Sequence, residues 1–491
     1  MGLMSALRAL GGLCVLACCA SASAAAKAAP HAVDTAIVGA RILVAPDAPA
    51  IERGVVLLRG GRIEAVGAVG TVRVPKRVRV IDARGLTLAA GFWNSHVHLI
   101  DPVLLHAGTG PAPQAEAGLR QLLTRWGFST AFELAGAPGN TLALRRRIAS
   151  GELDGPLLLT VDAPFYPKGG TPVYVRDLYA DGKIPSAEVT DPVQAADRVR
   201  RQLDAGADGV KLFNGEIVGA VVPMDPAVAR VLVAAAHARG KRAFAHPGNL
   251  LGLRIARDAG VDVLAHTTPA DGPWPDALAH DLAARAMALI PTLKLFEVEL
   301  RKDGAPAAVI ERFRAASSQQ VAAMRAAGGT ILFGTDGGYI ADTDTTREFQ
   351  LMAQAGMDWR AILASLTTAP AAFFGYDTHK GRIATGMDAD LVLLGGDPAS
   401  DVAAFADVRA TLRGGRMLYL ATADAGRVRP REAPAPGGAQ RAITGPRCCS
   451  PGFPVRDPEE DRRLGTPTGD ARKARLGKRA EALSSEHDLS S

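Results

Sequence analysis

The sequence predicts an α/β fold, a (β/α)8 barrel joined to a small β-sandwich built from both ends of the chain. Two observations predict it. Between about residues 90 and 376, short apolar runs alternate with Ala-rich amphipathic stretches, the pattern of strand–helix units feeding a parallel sheet. On either side lie runs that alternate apolar and polar residues around glycine turns, which read as antiparallel strands. A chain of 491 residues is long enough for both parts.

In chain order, residues 1–26 read as an export signal. Arg8 supplies the positive end, Ala9 to Cys19 the apolar core, and Ala22-Ser23-Ala24 the small-residue cleavage site. The apolar core is too short for a membrane span. The expectation is therefore an exported protein, periplasmic or secreted. Val15-Leu16-Ala17-Cys18 also resembles a lipobox, so a lipoprotein anchored through Cys18 is the alternative. Cleavage would leave only Cys448 and Cys449, which make no disulfide framework, and the core must hold the fold.

Residues 33–89 form the first part of the expected sandwich. Gly54 to Val66 reads as a hairpin turning at Gly60-Gly61. Residues 377–420 form the second part, with strand-like runs at Ala389 to Leu394 and Arg409 to Leu418. From 421 to 491 the chain turns Ala/Pro/Gly-rich and then mixed-charge, and is expected to be disordered. The net charge of +6 does not imply nucleic acid, because many basic residues are interleaved with acids in this tail and no nucleic-acid motif occurs. The oligomeric state is left open, a homo-oligomer included.

Within 90–376 the strands Gly209 to Phe213, Arg242 to His246, Asp262 to His266 and Thr330 to Asp336 are the clearest, with helices such as Pro226 to Arg239 and Leu251 to Ala259 between them. His96 and His98 end the first apolar run. Side chains two apart on a strand point the same way, so this pair can grip one divalent metal. Taken alone, the pair could equally be two strand histidines. Lys211, His246, His266 and Asp336 each close a later run, where a barrel of this kind projects its functional side chains. Each has a bland alternative: a mouth salt bridge for Lys211, a rim position for either histidine, a turn aspartate before glycine for Asp336.

This order of residues, with the returning segment Gly381-Arg382-Ile383-Ala384-Thr385-Gly386-Met387-Asp388-Ala389-Asp390-Leu391-Val392-Leu393-Leu394, resembles the amidohydrolase superfamily, most closely its imidazolonepropionase-like and prolidase-like branch. The resemblance implies two divalent ions, zinc suiting the N/O ligand set and manganese, cobalt or iron being alternatives. It assigns His96, His98 and Asp336 to one ion and His246 with His266 to the other. Lys211, in Ala205-Gly206-Ala207-Asp208-Gly209-Val210-Lys211-Leu212, would carry a CO2-derived carbamate bridging both. Asp336 would also move the proton from water to the leaving nitrogen.

Nucleobase deaminases of this superfamily carry a glutamate soon after the fifth-strand histidine. Here His246 is followed by Pro247-Gly248-Asn249-Leu250, which argues against deamination. Tyr166, Lys168 and Tyr174, in the loop after the third strand, and Lys294, near the seventh, are candidates to line the substrate pocket. Asn94 and Ser95 flank the metal pair and are candidates to support it. The implied reaction is hydrolysis of an amide bond in Xaa-Pro or other dipeptides, or in N-acyl amino acids. An esterase, lactonase or phosphotriesterase-like hydrolase on the same site is the alternative. Gly91-Phe92-Trp93-Asn94-Ser95-His96 departs from the branch's commoner Gly-Leu-Ile-Asp-x-His and leaves the substrate open. A binding protein on an inactivated fold is a third reading, opposed by the complete ligand set.

Overall fold

Two parallel sheets carry the centre of the molecule. In a computed structural model, which describes residues 34–429 except 173–174, 181, 183 and 218–219, one sheet contains Phe92–Val97, Phe128–Glu133 and Leu157–Thr160. The other runs Gly209–Phe213, Arg242–His246, Val263–Ala265, Ala288–Ile290 and Thr330–Ile331. Parallel bridges between Phe165 and Leu212, and between Val97 and Gly337, tie the smaller sheet to the larger and to the segment that follows it. The fold is mixed α/β with parallel sheets. The expected leader with Cys18, the cysteines Cys448 and Cys449, and Tyr174 lie outside the described residues.

Helices pack between these strands, and the sequence starts them by ordinary means. Asp191 and Asp225 accept hydrogen bonds from the first free amides of Pro192–Asp204 and Pro226–His237, each with proline in the first turn. Asn249 caps Leu250–Ala259 through Gly252, three residues after His246. Among these described helices none is long and apolar enough to cross a membrane.

The flanking strands join into one nine-stranded mixed sheet. Thr87–Ala90 pairs antiparallel with Leu391–Leu394, so strands from before and after the parallel sheets lie side by side. The hairpin between Ile51–Arg59 and Arg62–Ala68 turns at Gly60 (φ +55°) and Gly61 (φ +81°), left-handed conformations that fit a two-residue hairpin turn. Leu391 and Leu393 enter one apolar cluster with Ile37, Leu58 and Leu88, while Val392 and Leu394 face the cluster that holds Phe92 and Phe405. Phe92 meets Phe405 edge to face at 5.9 Å, and Phe333 stacks on Phe349 at 4.9 Å. Truncating any of these rings to alanine would cost about 3–5 kcal/mol.

Two expectations need correction. The strand expected to reach Asp336 stops at Ile331. A side chain at Gly334 would sit 2.4 Å from Ile290 and 2.8 Å from His96, and Asp336 adopts φ +57°, so the chain leaves extended geometry before the carboxylate. Residues 422–429, expected within the disordered tail, are ordered, and 430–491 lie outside the described residues. Thr422–Arg427 forms a 3-10 turn and Val428–Arg429 pairs with Arg79–Asp82. Buried Asp424 holds this segment through Arg427 at 2.6 Å and Arg409 at 3.3 Å.

Candidate metal centre

The strand Phe92–Val97 is buried throughout; His96 lies within it, His98 one residue past its end, and both side chains reach Asp336. Their Nε2 atoms lie 3.1 Å apart. Asp336 Oδ1 sits 3.0 Å from His96 Nε2 and 2.9 Å from His98 Nε2. The Asp336 backbone reaches this position because its amide donates to the His96 carbonyl at 3.0 Å. Asn94 adds a side-chain link, donating to Thr335 Oγ1 at 2.8 Å and accepting from the His96 amide. The His266 ring is centred 4.8 Å from that of His96 and 4.9 Å from that of His246. Five of the six expected ligands therefore meet.

Hydrogen bonding assigns the tautomers of two histidines. His98 Nδ1 lies 3.3 Å from the Ala135 carbonyl oxygen, which can only accept, so Nδ1 carries a proton and Nε2 is the nitrogen turned toward Asp336. Thr292 Oγ1 donates to the Pro291 carbonyl at 2.8 Å and so accepts from His266 Nδ1 at 2.6 Å. Burial keeps the His266 ring neutral, so its Nε2 is bare.

Lys211, the sixth, is fully buried, and its Nζ has no hydrogen-bond partner among the described residues. It lies 4.8 Å from the centre of the Phe213 ring, on which the imidazole of His246 also stacks at 5.2 Å. Burial brings the Lys211 ammonium down to about 7, against the pull of Asp336 and Glu133. Burial likewise takes His96 and His246 down to about 3 and His266 well below its ordinary value. Burial works against the charge of Asp336, but His96 and His98 outweigh it and hold its carboxyl well below the usual range.

The donor set fits a divalent cation. Two imidazole nitrogens and a carboxylate oxygen crowd within 3.1 Å, and electron-pair donors that close repel one another unless a cation lies among them. Among the described residues, His96, His266 and Asp336 each offer a ligand atom within 4.8 Å of the others. That grouping cuts across the expected division, which put His96 and His266 on different ions.

The expected substrate residues fare unevenly. Tyr166 is buried edge-on to Phe213 at 5.0 Å, one ring away from His246. Lys168 is exposed on its loop. Lys294 needs correction as a substrate clamp. Its ammonium is buried and all three donors are taken, by the carbonyls of Asp342 and Asp344 and the Asp342 carboxylate. Sequence reasoning missed Glu133 and Thr292. Glu133 accepts from the Ala135 amide at 2.7 Å and the Thr160 hydroxyl at 2.6 Å, which fixes the carbonyl that His98 uses. Burial pushes its carboxyl up to about 7. An acid inside the apolar run Phe128 to Leu134 was the available signal.

Histidines at or just past the ends of parallel strands thus meet an aspartate in one buried cluster whose donors suit a divalent ion. The chain belongs to the amidohydrolase family, whose pattern matches residues 87–418. It is similar to a solved Xaa-Pro dipeptidase with bound methionine in the active site, at 21% identity, over 79% of this chain and 100% of that one, with a TM-score of 0.67. A prolidase complexed with N-methylphosphonate-L-proline is similar at 23% identity over 78% and 98%, with a TM-score of 0.63. A 96-residue stretch is 38% identical to the N-acyl-D-aspartate deacylase of Alcaligenes xylosoxydans xylosoxydans, spanning 20% of this chain and 18% of that protein.

Proposed function

We propose that this chain is an exported binuclear amidohydrolase that cleaves the amide bond of a small peptide, Xaa-Pro dipeptides included, or of an N-acyl amino acid. The observation that carries this reading is the meeting of His96, His98, His246, His266 and Asp336 beside the unpartnered amine of Lys211. The two parallel sheets are taken to be one (β/α)8 barrel, a reading supported by the bridges at Phe165–Leu212 and Val97–Gly337. The nine-stranded sheet would be the small sandwich domain assembled from residues 33–89 and 377–420. Export rests on the composition of residues 1–26.

His96, His98 and Asp336 would hold one ion and His246 with His266 a second, with a carboxylated Lys211 between them. Bound there, a divalent ion supplies the charge that lowers the pKa of a water and polarises the scissile carbonyl. Asp336, kept ionised by its neighbours, accepts the proton of the attacking water at a carboxylate oxygen and delivers it to the departing nitrogen. The bonds from His98 Nδ1 to Ala135 and from His266 Nδ1 to Thr292 keep both rings turned with Nε2 inward. Tyr166 and Phe213 would form an apolar wall on the His246 side.

The test is a substrate screen on the full-length protein supplied with zinc and bicarbonate, with Asp336→Asn as the blank. Xaa-Pro dipeptides, other dipeptides and N-acyl amino acids are pooled and free amino acid is measured. Release by the wild type alone supports the reading. No release above the blank, with turnover of esters, lactones or phosphotriesters, replaces amide hydrolysis by the alternative.

A further inference from the structure

Thr292 stands at the N-cap of the helix Leu293–Lys302, where a threonine hydroxyl ordinarily accepts from one of the first free amides. Here it makes no such bond. Those amides are met from elsewhere: Glu348 accepts from the Leu293 amide at 2.9 Å and from the Lys294 amide at 2.7 Å. Glu348 belongs to the neighbouring helix Thr346–Gln354 and is 1% exposed, so no water competes for the cap. The same two helices are pinned again where Arg347 donates to Glu297 at 2.9 Å.

The relief of Thr292 has a visible result. Its hydroxyl donates to the Pro291 carbonyl and accepts from His266 Nδ1. Both residues hold left-handed backbone conformations, φ +45° for Thr292 and φ +108° for His266. Such conformations are strained for side-chain-bearing residues and persist only where surrounding contacts impose them. A threonine that turned to cap its own helix would give up the imidazole.

We propose that Glu348 is a positioning residue for the metal centre: by capping the helix in place of Thr292, it frees the threonine hydroxyl to hold His266 with Nε2 bare. This rests on the metal-dependent reading above. Glu348 touches neither substrate nor ion and acts only through Thr292.

The experiment uses full-length protein in five forms: wild type, Thr292→Val, Thr292→Ser, Glu348→Gln and the Thr292→Val/Glu348→Gln double variant. Zinc affinity is measured by competition with a chromogenic chelator, and thermal midpoints are taken on metal-free samples. A 15N imidazole spectrum of metal-free protein reports the His266 tautomer. Thr292→Val should weaken zinc binding about ten- to hundred-fold, the usual loss on removing a group that orients a metal ligand. Thr292→Ser should recover most of it. Glu348→Gln should weaken zinc less than Thr292→Val does, and add nothing in the Val background. The His266 signal should show Nδ1–H in wild type and a tautomer mixture in Thr292→Val.

Wild type that binds zinc with Thr292→Val binding equally well, and an unchanged tautomer, overturns the inference alone. A Glu348→Gln loss that persists in the Val background makes Glu348 an independent helix cap and also overturns it. Wild type that takes up no zinc overturns the metal reading and this inference together. If Glu348→Gln does not fold, Glu348→Asp replaces it, withdrawing the carboxyl group by one methylene.

Discussion

Carboxylation of Lys211 requires a neutral amine, whose lone pair attacks the carbon of CO2 while the surplus proton passes to solvent. An exposed lysine is neutral in only about one molecule in 3,000 at pH 7. Lys211, brought down to about 7 by burial, is neutral in about half. At fixed CO2 pressure, the neutral fraction should climb from about a tenth at pH 6 to about nine tenths at pH 8. Carbamate and bound zinc should rise with it. The assay is 13C NMR of protein held under 13CO2, with zinc counted on the same samples and Lys211→Met as the blank. The variant should show no carbamate signal and hold at most one ion, and formate or acetate should restore part of the loss. The same shift acts on stability. The folded value lies below the unfolded one of about 10.5, so between about pH 7 and 10.5 the unfolded chain holds a proton the folded one lacks. Metal-free protein should therefore gain stability with rising pH in that window, on the order of a few kcal/mol, and Lys211→Met should flatten the gain. Two-ion occupancy in Lys211→Met, or in CO2-free buffer, would refute the argument.

Asp336→Asn keeps the shape of the side chain but not the proton acceptor, so kcat on the substrate found by the screen should fall by at least about a hundred-fold with a smaller change in KM. A raised KM at unchanged kcat would remove Asp336 from proton transfer. Gly338→Ala should disturb the centre from outside it, because a Cβ there would lie 1.7 Å from the His98 carbonyl oxygen at a φ of +95°. A loss of about 1–3 kcal/mol in chemical denaturation, together with weaker zinc binding, is expected. Lys294→Met should lower stability by about 1–3 kcal/mol by stripping its carbonyl partners, and leave KM alone. A raised KM with unchanged stability would return Lys294 to the substrate pocket.

What the sequence exposed was whatever depends on local periodicity. Gly209 to Phe213 and Arg242 to His246 are apolar runs bounded by turn residues, and both form strands with those limits. Spacing two implies that His96 and His98 turn the same way, and both reach Asp336 although the strand ends between them at Val97. The errors arise where a residue's partner is distant in the chain. Lys294 looks like a free cation until the backbone of 342–344 folds over it. Thr292 carries no sequence signal because the residue that caps its helix, Glu348, lies 56 positions on. Asp336 was placed at a strand end because nothing local announces that Gly334 is pressed against His96.

The pairing of Thr87–Ala90 with Leu391–Leu394 sets an order on synthesis. The strand nearest the centre of the mixed sheet waits through roughly 300 further residues before its antiparallel neighbour exists, and loop closure over that length is slow. Until then the five N-terminal strands carry an open edge, which can pair with another nascent chain. A ribosome that stops before Leu391 therefore releases a product with its clustered histidines already made but its sheet unsealed. Such fragments should be found among aggregates and protease targets rather than as partial enzymes.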